Sequence, residues 1–150
     1  MTKKILPLVL TLLLLCGCGA KEETPYTLAD AEALLNSAAF EGSDMARLDS
    51  DVLVMLYGID EAAVTECVGY MAANTSVSAD ELAVFILTDE EAATAVEEAC
   101  QSRVASQITM SQSYCPDAVP RLEKALISRV GNTVLLAVGD SAVITETLKK

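Results

Sequence analysis

The sequence predicts an α+β fold: two leading helices, then β-β-α-β-β-α, with a mostly antiparallel four-stranded sheet and helices packed on it. Three observations carry this expectation. Glu81 to Leu87, "ELAVFIL", is apolar on both faces and reads as a central buried strand. Leu126 to Val130 and Thr133 to Val138 are β-prone runs separated by Gly131-Asn132, a two-residue turn of the hairpin kind. Between these strands, Ala93, Val96, Cys100, Val104 and Ile108 recur at spacings of three and four, one buried helical stripe. Hairpins impose antiparallel pairing, and helices can then cover one face of the sheet.

Each element has a local reason. Thr27 with Asp30 three residues on predicts a helix start, and Leu28, Ala31, Leu34, Leu35 and Ala38 mark its apolar face. Gly42 and Ser43 interrupt it. Asp49 or Ser50 can cap a second short helix through Tyr57, with Val52, Leu53 and Leu56 inward and Gly58 just past its end. Val64 to Ala73, "VTECVGYMAA", is ambiguous between helix and strand. A strand is favoured, with Val64, Val68, Tyr70 and Ala72 on one side and Cys67 and Met71 on the other. Asn74 to Asp80 reads as loop. Thr88-Asp89-Glu90-Glu91 matches a capping box, with the Thr hydroxyl as cap and Glu91 reaching back. Asp117 can cap a short helix to Lys124, with Pro120 tolerated in its first turn. Asp140 caps a last helix, whose closing Lys149-Lys150 suits the negative helix end.

The N-terminus carries an address. Lys3-Lys4 precedes the apolar run Ile5 to Leu15, too short for a span of roughly 20 residues and suited to a secretory leader. Leu15-Cys16-Gly17-Cys18 follows and resembles the bacterial lipobox. That resemblance implies cleavage between Gly17 and Cys18 and a thioether from Cys18 to diacylglycerol. Cys16 cannot serve, because Leu15 would then occupy the position that must be small. An ordinary leader with incidental cysteines is the alternative. Two acyl chains anchor stably where one binds marginally, at about 0.8 kcal/mol per buried CH₂. The expected organisation is residues 1–17 as signal peptide, 18–26 as lipidated Cys18 and polar tether, and 27–150 as one α+β domain. The expected location is extracytoplasmic, on the cell membrane through the lipid on Cys18.

Composition excludes more than it identifies. The net charge is −12 and histidine and tryptophan are absent. Loss of Lys3 and Lys4 with the leader makes the remainder more acidic still. Such a surface repels nucleic acid, where basic contacts dominate affinity, and disfavours anionic head groups. Acidity also keeps a small exported domain soluble. Without histidine there is no Ser-His-Asp or Cys-His catalysis and no His-based zinc site.

"ADELAVF" (Ala79 to Phe85), "SYCP" (Ser113 to Pro116) and "VGNTVLLAV" (Val130 to Val138), together with the lipobox, are similar to a family of small bacterial lipoproteins catalogued as domain of unknown function 4358. The resemblance covers roughly residues 27–150. It implies the architecture and the address, and no activity, cofactor or catalytic residue.

Candidates for chemistry are few. Cys67, Cys100 and Cys115 could supply one disulfide and an odd thiol, in three pairings, or stay reduced as small apolar groups. Cys115, in a loop before a short helix and near Arg121 in sequence, is the speculative thiol site. Asp49-Ser50-Asp51 begins like a calcium loop, but Val54 stands where that loop needs glycine. Asp80-Glu81 are adjacent carboxylates. On a strand they point to opposite faces, so edge solvation or an ion pair with a residue such as Arg129 is expected instead of joint catalysis. No catalytic residue, metal ligand or cofactor is assigned. The expected role is a non-enzymatic binding or accessory module of the cell envelope, with an envelope protein as partner and no nucleic acid. The alternatives are a binder of small ligands or cations, in a cleft between the two leading helices and the sheet, and a thiol enzyme using Cys115.

Overall fold

A computed structural model describes residues 23–149. Gly17, Cys18 and the rest of the leader lie outside the described residues. The elements are α1 (Leu28–Leu35), β1 (Met45–Leu48), α2 (Ser50–Tyr57), β2 (Val64–Ala72), β3 (Glu81–Leu87), α3 (Glu90–Tyr114), α4 (Val119–Leu122), β4 (Leu126–Val130), β5 (Thr133–Val138) and α5 (Ser141–Thr147), with short 3-10 turns between some of them. The sheet order is β1-β2-β3-β5-β4, and every neighbouring pair is antiparallel.

The α+β class is as expected, and the sheet differs in detail. It has five strands, because Met45–Leu48 adds to the edge of β2 with Met45 opposite Ala72 and Leu48 opposite Gly69. Four residues between Asp44 and Asp49 carry too little pattern to read locally. They become a strand by pairing with β2. Gly69 matters here for a second reason: a Cβ at this position would stand 2.5 Å from Leu53 Cδ1 of α2. The bare backbone lets that helix lie close to the sheet.

Helices cover both faces of the sheet, where one face was expected. On one side α2, α3 and α4 bury Leu53, Phe85, Val96, Cys100, Leu122 and Leu136. On the other, α1 and α5 bury Leu34, Leu82, Val84, Leu135, Ala137 and Ile144. Alternate residues of β3 and β5 feed the two cores, which is why both strands read as unbroken apolar runs. The leading helices α1 and α2 therefore sit on opposite faces and frame no joint cleft over the sheet.

Several local readings shift. The α3 cap is Asp89, whose side chain accepts from Ala92 N, in place of Thr88. Asp117 falls inside a 3-10 turn that starts after Cys115, so it caps nothing. Val52 faces outward on α2. A bulge between Val64 and Glu66 turns Val64 to the face of Cys67, away from Val68 and Tyr70. As expected, Asp140 caps α5 by accepting from Ala142 N and Val143 N. Gly58 ends α2 in the left-handed region, at φ 64°.

Candidate binding cleft

α3 creates a cleft through its length. It begins two residues after β3 and runs back along the sheet. Its 25 residues span about 37 Å, while the seven residues of β3 span about 24 Å. The last turns of α3 therefore overhang the sheet end. Under that overhang lies a cleft of about 500 Å³, walled by one face of α3 and by the β2–β3 loop, with Met71 and Glu81 as its floor. Arg103, Gln107, Met110, Ser111 and Tyr114 line the helical wall, at spacings that hold one side of the helix.

Two carboxylates meet at this end of the sheet. Glu81 is 2% exposed. It accepts from Arg103 Nε at 2.6 Å, Arg103 Nη2 at 2.8 Å, Gln107 Nε2 at 2.7 Å and the Tyr57 hydroxyl. The Arg103 guanidinium also lies over the Tyr57 ring, 5.2 Å from its centre. Asp80 is buried and receives Arg121 Nη1 at 2.7 and 2.6 Å and the Ser43 hydroxyl at 2.6 Å. Thus α2, α3, α4 and the segment before β1 converge on two consecutive residues.

These partners decide what the acids can do. Four accepted bonds occupy the Glu81 lone pairs within the fold. Burial, with the Glu81 charge beside it, holds the Tyr57 hydroxyl well above its ordinary range, so it is a fixed donor. Burial pushes the Cys100 thiol up to about 12, aided by the same carboxylate. Burial works to lower the Arg103 guanidinium, but its bonds to Glu81 raise it. The constellation holds charges still.

The sequence-based pairing of Asp80 or Glu81 with Arg129 is corrected: Arg129 Nε pairs with Glu97 Oε2 at 3.0 Å. Neither acid is solvated at an edge, because β3 is central and capped by α3 at that end. Cys115 does reach the cleft, half-buried, and its thiol donates to Val77 O at 3.6 Å. The helix start after it is three residues of 3-10 turn, and Arg121 is occupied by Asp80. Cys67, Cys100 and Cys115 are all free thiols. Among the described residues, no group of three His, Cys, Asp or Glu is placed to hold a metal ion, and no helix is long and apolar enough to cross a membrane.

Sequence reasoning missed Tyr57, Arg103, Gln107, Met110 and Tyr114. One signal existed for all of them but Tyr57. Residues 67–79 and 104–116 carry no charge, in a chain of which 21% is charged. These two neutral stretches line the same cleft. Arg103, the sole basic residue of α3, stands at the border of one of them.

The fold and cleft define a small α+β domain with an antiparallel sheet between helical layers and a neutral cleft at one sheet end. The family described as "Domain of unknown function (DUF4358)" matches residues 38–139, and the chain belongs to that family. The match is narrower than the expected 27–150 and leaves α1 and α5 outside. No curated protein and no solved structure matches the chain.

Proposed function

We propose that this protein is an extracytoplasmic lipoprotein, anchored through Cys18, that acts as a non-enzymatic binding module of the cell envelope. The observation that carries the binding reading is the neutral cleft with exposed apolar residues on its rim. Met110 and Tyr114, which line it, are 62% and 85% exposed, two of the five large hydrophobic side chains so exposed among the described residues. Exposed apolar residues gathered at a concavity mark an interaction site, whereas scattered ones do not. The commitment of Asp80 and Glu81 to arginines of the fold favours binding over acid–base chemistry.

The tether's attachment supports the same reading. Tyr26 N donates to Thr133 Oγ1, and the Tyr26 hydroxyl donates to Ser128 Oγ. Thr133 starts β5, while Val138, opposite Glu81, ends it. The chain thus leaves toward Cys18 at the sheet end about 17 Å from the cleft end. The cleft therefore lies at the sheet end opposite Tyr26.

Two measurements test this. Mass spectrometry of the protein from its membrane should find diacylglycerol on Cys18, lost in Cys18→Ala. A photo-cross-linker replacing Tyr114 should capture one dominant envelope component in cells, and capture should fall in the untethered form. An unmodified Cys18 would refute the anchor, and a cross-linker that captures nothing reproducible would refute the binding module.

A further inference from the structure

Resting on the binding reading, we infer that the cleft takes a peptide segment of a partner protein, with an apolar anchor residue flanked by basic residues. The cleft has no free charge to offer a ligand. Its charged lining residues are Asp80, Glu81 and Arg103, and each is ion-paired: Asp80 with Arg121, Glu81 with Arg103. What it offers is thioether and phenol surface from Met71, Met110 and Tyr114, and hydroxyl or amide groups from Thr75, Ser78 and Gln107. Met71, Met110 and Tyr114 belong to the residue types enriched where proteins meet. Met is adaptable, and it suits a surface that closes around a side chain.

Charge selects the flanks. The chain carries −12 overall. Asp44, whose carbonyl accepts from Ala73 N at the start of the β2–β3 loop, is exposed, and so is Asp117, two residues past Cys115. Each adjoins a segment that borders the cleft, so a ligand chain passing either one meets negative charge. Basic flanks gain from it, and acidic ones are repelled.

The probes are three synthetic peptides of about twelve residues, each with a central Trp-Leu anchor flanked by Lys, Ser or Glu. The protein contains no Trp, so indole emission reports the peptide alone. The full lipoprotein is held in zwitterionic nanodiscs, with empty discs as blank. The Lys-flanked peptide should bind about tenfold or more tighter than the Glu-flanked one in about 20 mM NaCl, and most of that advantage should vanish in about 500 mM. Tyr114→Ser and Met110→Ser, both at exposed positions, should each weaken binding several-fold. Equal binding whatever the flank, or binding that survives both substitutions, overturns the inference. So does the failure of all three peptides. The cross-linker at position 114 separates the cases: continued capture in cells would keep the binding module while this partner chemistry falls, and loss of capture would remove both.

Discussion

Glu81 shows how one residue can set the character of a site. Its carboxylate is sealed under α3, and among the described residues Arg103 is the one neighbour that neutralises it by charge. The two partners differ in their access to water: the Arg103 side chain is 15% exposed and can shift outward, while Glu81 cannot. Arg103→Met should therefore cost about 3–5 kcal/mol, because it strands a buried charge. Glu81→Gln should cost less. The double substitution should cost less than the sum of the two, as read from urea unfolding. The Cys100 thiol gives the molecule an alkaline limit. Its folded value of about 12 stands above the ordinary 9.0, so below about pH 9 both states hold the proton and the thiol has no effect. Between about pH 9 and 12 the unfolded chain releases a proton that the folded chain keeps. Stability then falls by up to about 1.4 kcal/mol per pH unit. Tyr57 adds to the fall above its ordinary value of 10.0. The urea midpoint should be level up to about pH 8.5 and then drop, with a shallower drop in Cys100→Ala.

At the scale of elements, helix starts separate what sequence pattern can read from what it cannot. Thr88-Asp89-Glu90-Glu91 reads as a capping box from Thr88, but Asp89 takes the cap, and Thr88 N, which Glu91 would have to reach, is committed to Ala63 O. Asp89→Ala should cost about 1 kcal/mol and Thr88→Ala close to nothing, by thermal unfolding. An equal loss at both positions would mean that the capping box forms after all. Strands β3, β4 and β5 were legible to the residue, because their β-prone runs end at turn residues or at a cap. β1 was not, since an edge strand of four residues exists through its partner. The stripe of α3 was legible through Ile108. Its continuation through Arg103, Gln107 and Tyr114 was not, because polar residues facing a cleft look like polar residues facing water.

The whole molecule is a helix–sheet–helix stack with excess negative charge and a neutral opening at one end. Self-repulsion of that charge should make the fold more stable in salt. The melting temperature should rise by about 2–5 °C between about 10 and 500 mM NaCl. The buried Glu81–Arg103 pair will hardly weaken over that range, since solvent ions do not reach it. A falling melting temperature would mean that exposed ion pairs such as Arg129–Glu97 outweigh the repulsion.

The family, the α+β class, the hairpin, the long helix and the exclusion of histidine chemistry followed from the sequence by itself. Each is written in residue type and short-range spacing, and neither depends on what lies across the fold. The covering of both sheet faces, the edge strand β1, the clamping of Asp80 and Glu81 by arginines 41 and 22 residues away, and the cleft itself were decided only in the tertiary structure. Those features arise from how far α3 overruns the sheet and from which distant cation reaches a buried acid, and no local pattern encodes either.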